Sequence, residues 1–254
     1  MNDIAFDIDH HIATLTLTRP HKLNAVTPDM TTRIREAAHE INANRDIRVV
    51  VLTGSGKAFC AGSDIAELDT YPTAWEFRDR PDYCDAIRGI RKPVIAAING
   101  YAFGGGLEMS MSCDIRLAAD TASFAAPEIK LGWIGGGGMA AFLTHSIGPS
   151  NAALMLYTGD PISAQQALAW GLVSATHTSE DLLPAARELA GRIAERAPIA
   201  AQTGKLSLRA AHAMPLENCI QYERDLQTVS FATQDAAEGR EAFKQKRPAK
   251  FTGH

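Results

Sequence analysis

Apolar and polar residues alternate along the first part of the chain, which is the pattern of a β hairpin. Residues 3–8 and 11–18 each place every second side chain on one apolar face, as in strands that are buried on one side. Asp9, His10 and His11 lie where a tight turn would join these segments. We therefore predict an antiparallel pair of strands at the beginning of the fold.

Helical and strand-like segments then alternate through the first half of the chain. A helix is predicted from Pro28, after the cap residue Thr27, to about Asn44, because apolar residues recur there at helical spacing. Four short apolar runs predict buried strands, at residues 47–53, 94–98, 115–118 and 123–125. A polar segment at 75–89 and a predicted helix at 107–113 separate some of these strands. Strands that alternate with helices indicate a parallel sheet.

From Gly138 onward the pattern is almost wholly helical. Glycine or proline interrupts it at residues 148–149, 159, 171, 198 and 215. Only residues 172–176 predict a late strand. We predict an α/β core over residues 1–195 and a smaller helical C-terminal region over residues 196–254, with no low-complexity linker between them.

Composition and charge narrow the classes of function. The 254 residues are 46% hydrophobic and 21% charged, which is ordinary for a globular protein. The formal net charge of -4 provides no basic surface for a nucleic acid, so no nucleic-acid partner is expected. No apolar run approaches the roughly 18 residues of a membrane helix, and the first residues lack the pattern of a secretory signal. We expect no membrane partner.

The cysteines and histidines give no sign of a metal site or a disulfide framework. The cysteines are scattered, at Cys60, Cys84, Cys113 and Cys219, and no C-x-x-C pair occurs. The histidines likewise lack ligand-like spacing. Free thiols favour a reducing compartment, so we expect a cytoplasmic location.

Familiar nucleotide-binding and hydrolase motifs are incomplete. Residues 54–58, GSGKA, lack the earlier glycine and the Ser or Thr after lysine that a Walker A loop requires. The glycines at 104–106 do not complete G-x-G-x-x-G, and neither G-x-S-x-G nor H-E-x-x-H occurs. ATP, NAD and a nucleophilic hydrolase are therefore poorly supported.

Two glycine-containing turns are candidates for stabilising an oxyanion. Glycines 104–106 lie between an apolar run and a predicted helix, and Cys60–Asp64, CAGSD, follows another apolar run. Such turns can present backbone N–H groups to a substrate oxygen. Glu108 lies in the first helical turn, where its plain interpretation is a favourable charge at a helix N-terminus. Its apolar neighbours indicate burial, which requires a partner or a shifted pKa and favours a functional role.

Glu128 is the second candidate acid. A purely structural role is a stronger explanation for Glu128 than for Glu108. It follows Pro127, and proline followed by an acid is common in the first turn of a helix. Lys57 could approach a phosphate, although an exposed loop lysine is the ordinary interpretation. From local residues alone these alternatives remain open.

The order of several motifs reveals a resemblance to a known family. The chain resembles the crotonase superfamily, the enoyl-CoA hydratase and isomerase family, in TRPHKLNAV, AFCAGSDI, INGYAFGGGLEMSMSCDIRLA, FAAPEIKLG, TGDPISAQQALAWGLV and EAFKQKRPAKF. These motifs extend over nearly the whole chain. The resemblance implies an α/β spiral of repeated β-β-α units with a helical C-terminal trimerisation region, in a homotrimer or homohexamer. Periodicity alone indicates only an α/β protein.

The resemblance also implies an active site. The backbone amides of Ser63 and Gly105 would hold the carbonyl oxygen of an acyl-CoA thioester, and the Ser63 hydroxyl would change the polarity of the pocket. Glu108 would activate water, and Glu128 would deliver a proton to the α-carbon. No metal is implied and no cofactor, since coenzyme A is part of the substrate.

Enoyl-CoA hydration is the implied activity, because family isomerases commonly need only the acid that matches Glu128. An isomerase or another crotonase-type lyase is the enzymatic alternative. A non-catalytic acyl-CoA-binding protein or an RNA-binding relative is the alternative from a different class.

Contacts to coenzyme A are implied at two kinds of position. Backbone groups are implied at Lys22, Leu23, Ala25, Cys60 and Ala61, and charged side chains near the phosphates at Lys57 and Lys244. A lysine binds phosphate as a flexible point charge, so a local cluster can act despite the acidic total charge.

The segment LGWIGGGGMAAFLTHSIG departs from the family pattern. Gly135 stands where relatives often carry proline, and Met139, Ala141 and Phe142 alter the helix that follows. Loss of proline is expected to loosen the loop. Trp133 and Met139 are expected to reshape the acyl pocket, so an unusual substrate is expected.

Overall fold

The computed structural model describes residues 3–254 and confirms the predicted hairpin at its start. β1 (Ile4–Asp9) pairs antiparallel with β2 (Ile12–Leu17). His10 and His11 form the turn with φ values of 45° and 69°. Positive φ at both central residues matches the right-handed twist of the two strands, so the chain reverses in two residues.

Further strands complete two sheets. They are β3 (Val49–Gly54), β4 (Ala58–Cys60), β5 (Val94–Ile98), β6 (Tyr101–Phe103), β7 (Ile115–Ala119), β8 (Ser123–Ala125), β9 (Ile162–Ser163) and β10 (Ala175–His177). The larger sheet has the order β1-β2-β3-β5-β7-β10, and each pair after the hairpin is parallel. β3 and β5 are buried on both faces, which explains their unbroken apolar sequence. The predicted α/β class is confirmed.

The smaller sheet places two glycine turns next to each other. Its order is β4-β6-β8-β9. β4 precedes the turn at Gly62, and β6 leads directly to Gly104. Because β4 and β6 are parallel neighbours, these turns lie at the same edge of the sheet. The two-residue strand β9 is not predicted by the sequence, since two residues cannot show a periodicity.

The late strand differs from its prediction. β10 covers Ala175–His177, whereas the apolar pattern predicts a strand over residues 172–176. The two residues after Gly171 donate their N–H groups to the carbonyl of Ala167, beyond a left-handed residue with φ 83°. They therefore cap the preceding helix, which explains their apolar character without sheet pairing.

Helices surround the two sheets. They are α1 (Pro28–Ala43), α2 (Ile65–Leu68), α3 (Ala74–Arg78), α4 (Tyr83–Arg88), α5 (Gly105–Met111), α6 (Met139–Thr158), α7 (Ala164–Trp170), α8 (Leu182–Ala194), α9 (Pro198–Ala211), α10 (Leu216–Phe231) and α11 (Gln234–Gln245). Short 3-10 helices cover Pro20–Lys22 and Pro127–Leu131. α1 begins as predicted, because Thr27 accepts the N–H of Met30 (3.2 Å). α6 is interrupted at Gly148, which has φ 78°.

The C-terminal helices are tied to the core by polar contacts. Lys205 on α9 is buried. Its Nζ forms an ion pair with Oδ2 of Asp114, beside β7, at 2.7 Å. Arg48 beside β3 donates to the carbonyl of Phe251 (2.9 Å). These contacts cross the predicted boundary at residue 195, which itself stays a prediction. Within residues 3–254, no helix is long and apolar enough to span a membrane.

Candidate active site

Both candidate turns and both candidate glutamates line one cavity. The cavity has a volume of about 470 Å³ and lies between the edge of the smaller sheet and residues 127–136. Ser63 and Gly105 border it from the two turns. Glu108 borders it from α5, and Glu128 from the following 3-10 helix. The fold therefore brings together residues that lie far apart in the sequence.

The first turn leaves the amide of Ser63 available to a ligand. Gly62 has φ 98°, a conformation that favours glycine. Val26 donates its N–H to the Gly62 carbonyl (2.8 Å) and accepts the N–H of Asp64 (2.9 Å), so the chain is fixed on both sides of Ser63. The N–H of Ser63 has no acceptor among the described residues. Nη1 of Arg19 lies 2.7 Å from Oδ2 of Asp64, and this hydrogen bond lowers the pKa of the Asp64 carboxyl.

The second turn depends on glycine because it packs against the first. Gly105 is the first residue of α5, so its N–H lacks an intrahelical partner, and it has no other acceptor in residues 3–254. A Cβ on Gly106 would lie 2.0 Å from the carbonyl oxygen of Cys60, and a Cβ on Gly62 would lie 3.0 Å from the amide nitrogen of Gly105. The two turns are thus in contact, and their free amides belong to the same cavity.

Glu108 is held by the beginning of α6. Its side chain is buried, and its Oε1 accepts the N–H groups of Gly137 (2.7 Å) and Met139 (3.0 Å). Burial raises the pKa of Glu108, these two hydrogen bonds oppose the increase, and the nearby charge of Glu128 adds to it. The carboxyl is therefore anchored through one oxygen in a poorly hydrated place.

The glycines after Trp133 permit this position of Glu108. A Cβ on Gly135 would lie 2.7 Å from Oε1 of Glu108, and a Cβ on Gly137 would lie 2.9 Å from Oε2. The run of glycines therefore allows the loop to approach the carboxyl closely. The expected loosening of the loop stays a prediction.

Of the two side chains expected to reshape the acyl pocket, Trp133 borders the cavity and Met139 does not, and the effect of Trp133 on the substrate stays a prediction. Trp133 lines the cavity and is 42% exposed. Met139 is buried in the apolar core, and only its N–H takes part in the site. The expectation was wrong at Met139 because the helix that begins there turns this side chain inward.

Glu128 has fewer polar contacts than Glu108. It lies in the predicted helical turn after Pro127, which is a 3-10 helix. Its Oε2 is buried and has no hydrogen-bond partner among the described residues. Burial raises the pKa of Glu128, and a backbone hydrogen bond of its own opposes the increase. A buried carboxyl oxygen without a partner favours the protonated form of the group.

Part of the predicted coenzyme A segment is assembled beside the first turn. The N–H of Ala61 donates to the carbonyl of Leu23 (3.0 Å), and the thiol of Cys60 donates to the carbonyl of Asn24 (3.3 Å). Lys22 ends the adjacent 3-10 helix, and Ala25 accepts a hydrogen bond from a nearby arginine. The structure therefore brings these five predicted residues into two contacting segments: Lys22, Leu23, Ala25, Cys60 and Ala61.

The two predicted phosphate-binding lysines lie elsewhere. Lys57 is exposed before β4 and is not part of the cavity lining. Lys244 is exposed on α11, where it borders a separate cavity of the C-terminal helices. Neither lysine is brought to the glutamates within one chain, and their roles stay predictions.

Two parts of the site are not predicted by the sequence. Tyr83, the first residue of α4, is buried and lines the cavity with its hydroxyl 3.1 Å from Oγ of Ser63. The only local signal is the cap residue Asp82 before it, which predicts a helix start and no function. The second part is the pair of N–H groups at Gly137 and Met139, for which the run of glycines before a helix is a weak signal.

No group of three or more His, Cys, Asp or Glu residues within 3–254 is arranged to hold a metal ion. The four cysteines are free and buried. Burial raises the pKa of the Cys60 thiol to about 12, so it stays protonated at neutral pH.

Comparison with known proteins gives similarity along nearly the whole chain. Residues 7–254 match the family model described as enoyl-CoA hydratase/isomerase. The probable enoyl-CoA hydratase echA8 of Mycobacterium tuberculosis is 39% identical over 250 residues, covering 98% of this chain and 97% of that protein. The crotonyl-CoA hydratase of Syntrophomonas wolfei is 36% identical, covering 98% and 97%. The crystal structure of enoyl-CoA hydratase from Bacillus anthracis has a TM-score of 0.95 and 34% identity, with 100% of each chain covered.

Proposed function

The chain belongs to the enoyl-CoA hydratase/isomerase family, and we propose that it adds water across the 2,3 double bond of an enoyl-CoA thioester with the residues of this cavity. Its crotonase-like α/β fold agrees with that expected from the sequence. A trimerisation role for the C-terminal helices, and a homotrimer or homohexamer, remain part of the proposal.

One observation carries the assignment of residues. Two backbone amides without acceptors among the described residues, at Ser63 and Gly105, border the same cavity as the buried carboxyl group of Glu108 and the part-buried carboxyl group of Glu128. Attack of water on the β-carbon moves negative charge to the thioester oxygen. Donors that are already oriented stabilise this charge without reorganisation, and one such donor typically contributes about 3 kcal/mol in the transition state.

The surroundings of the two glutamates support different roles. Burial raises the pKa of both carboxyls, but Glu108 accepts two backbone N–H bonds that oppose this increase and favour its ionised form. Glu128 has a buried oxygen without a partner, which favours its protonated form. We therefore assign Glu108 as the base for water and Glu128 as the acid for the α-carbon, which is general acid-base catalysis.

The proposed reaction balances within these groups. The water oxygen bonds to the β-carbon, and its proton passes to the Glu108 carboxylate. The electrons of the double bond move to the thioester oxygen, which the amides of Ser63 and Gly105 hold. Proton transfer from Glu128 to the α-carbon restores the carbonyl. Glu128 then regains a proton and Glu108 loses one before the next turnover.

The substrate and the cellular setting complete the proposal. Relatives named for crotonyl-CoA and 2,3-dehydroadipyl-CoA support an acyl-CoA thioester as substrate. We propose that no cofactor is needed, because the four polar groups supply the acid, the base and the oxyanion donors. The free, buried cysteines support a cytoplasmic location.

Turnover of a panel of 2-enoyl-CoA thioesters tests the proposal. We expect Glu108→Gln and Glu128→Gln each to lower kcat at least about 100-fold, in the range of general acid-base catalysis. The exposed Glu180, outside the cavity, gives the matched control Glu180→Gln, which should keep wild-type turnover. Equal hydration by all four proteins would contradict the roles of the two glutamates. Double-bond isomerisation that survives Glu108→Gln but not Glu128→Gln would instead support an isomerase.

A further inference from the structure

A pair of hydroxyl groups lies beside the two free amides. Oγ of Ser63 and Oη of Tyr83 are 3.1 Å apart, and both residues line the cavity that contains Glu108 and Glu128. Neither oxygen has a second hydrogen-bond partner among the described residues. The proposed hydration uses the amide of Ser63 and neither of these hydroxyls.

The pair has one proton more than its mutual hydrogen bond uses. Each hydroxyl has one proton to donate and can also accept. Whichever oxygen donates within the pair, one O–H group is left without an acceptor in residues 3–254. Burial raises the pKa of Tyr83 well above its usual value, and nearby thiol and carboxyl groups act in the same direction. The phenol therefore keeps its proton at neutral pH.

The phenol oxygen lies directly over the second turn. A Cβ added to Gly105 would be 1.9 Å from Oη of Tyr83 and 3.1 Å from its Cζ. The hydroxyl thus occupies the place where any other residue at 105 would carry its side chain. Ser63 supplies the other free amide, so the pair spans the two turns that provide the backbone donors.

We propose that Ser63 and Tyr83 form a third donor to the thioester oxygen, with the Ser63 hydroxyl donating to Tyr83 and the Tyr83 hydroxyl donating to the oxygen. The phenol is the more acidic hydroxyl, so it makes the stronger bond to an oxygen that gains negative charge. The Ser63 hydroxyl orients it and increases its donor strength. This inference rests on the proposed function, because it concerns the same oxygen of the same substrate.

Two variants remove single oxygen atoms and keep the shape of the site. Tyr83→Phe should lower kcat and kcat/KM together, by about tenfold to a hundredfold, at or below the usual loss for one oxyanion donor because both amides remain. Ser63→Ala keeps the amide and should cost less. The double variant should lose little more than Tyr83→Phe alone, because the two hydroxyls act as a unit. Losses that multiply in the double variant would overturn the pairing.

A ligand that needs no hydration separates a donor from a packing role. Acetoacetyl-CoA forms an enolate with charge on the thioester oxygen, and its ultraviolet absorbance gives the enolate fraction of the bound ligand. We expect Tyr83→Phe to lower the ratio of enolate to neutral ligand about tenfold at fixed pH, which equals one pKa unit. An unchanged ratio, with or without a loss of kcat, would overturn the proposal, because a donor must affect this charge.

Tyr101→Phe is the matched control. Tyr101 begins β6, is 39% exposed and lies outside the cavity, so its variant should match wild type in both measurements. The enolate ratio also separates this inference from the proposed function. If the wild-type protein hydrates no enoyl-CoA, the function fails, while the effect of Tyr83→Phe on the bound enolate still decides the role of the hydroxyl pair.

Discussion

The two glycine turns and the apolar wall of the cavity are built in different ways. The turns, residues 60–64 and 104–108, contribute backbone groups and buried atoms whose positions follow from close packing. The apolar wall consists of exposed or part-exposed large side chains from other segments: Ile65, Phe77, Leu131, Trp133 and Ile134. Ile134 is 78% exposed, whereas Glu108 is 5% exposed. The proposed oxyanion donors thus lie on closely packed main chain, whereas the proposed contacts to the acyl group lie on exposed side chains that can change without loss of the fold.

The largest effect is expected from separating the two turns. Gly106→Ala places a methyl group 2.0 Å from the Cys60 carbonyl, so α5 must move away from β4. We expect kcat/KM to fall more than about 100-fold, since a displacement near 1 Å has such an effect on catalytic geometry. Gly191→Ala on α8 is the control, because nothing lies within 4 Å of its added Cβ. Near-normal turnover by Gly106→Ala would refute the dependence of the site on this contact.

We expect the pH dependence of kcat to be determined by the two glutamates and not by the apolar wall. The pKa values of both Glu108 and Glu128 are raised. Turnover should fall as the pH drops through the value at which the base becomes protonated, and again as it rises through the value at which the acid ionises. We expect a bell-shaped profile of kcat. On its acidic and basic sides, kcat should change about tenfold per pH unit. A flat profile from pH 5 to pH 9 would argue against paired acid-base roles.

A smaller and more selective effect is expected from the apolar wall. Trp133→Ala removes a large part-exposed ring from the cavity and leaves the turns in place. We expect the preference between short and bulky enoyl-CoA thioesters to change by about 10-fold, while kcat for a short substrate changes less. The apparent pKa values of the kcat profile should be the same as in the wild-type protein. Equal loss for all substrates would show that Trp133 supports the chemistry rather than selectivity.

The smallest effect concerns stability. Because burial raises the pKa of Glu128, its ionisation opposes folding, and the stability present below the pKa of the unfolded chain is lost as the pH rises through the folded value. Glu128→Gln cannot ionise and should raise the Tm at pH 8 by about 2 °C or less, because solvent screens part of the effect of this part-exposed carboxyl. The difference should disappear near pH 4. Scanning calorimetry at both values checks this, and a lower Tm at pH 8 would contradict it.

The sequence predicts the turns better than it predicts what surrounds them. Gly104–Gly106 and Cys60–Asp64 are recognisable because glycine at a turn and an apolar strand before it are local signals. Tyr83 meets Ser63 across twenty positions of the chain, and Gly137 meets Glu108 across twenty-nine. Such contacts arise only when the sheets and helices pack, so no local pattern contains them.

The errors of prediction have similar causes. The apolar residues after Gly171 predict a strand, although they cap a helix, because burial by a cap and burial by a sheet select the same side chains. Met139 is expected in the pocket because it belongs to the segment that departs from the family pattern, whereas α6 directs it into the core. In both cases the residue type indicates burial correctly, and only the packing of neighbouring elements decides which surface it meets.

The proposed donors at Ser63 and Gly105 are peptide groups, and this affects how the protein can evolve or be engineered. A substitution other than to proline exchanges a side chain and leaves the peptide N–H present, so most mutations at these two positions do not delete the donor group itself. On the proposed mechanism, libraries aimed at new acyl groups can therefore vary Trp133 and its neighbours widely while both peptide donors are retained.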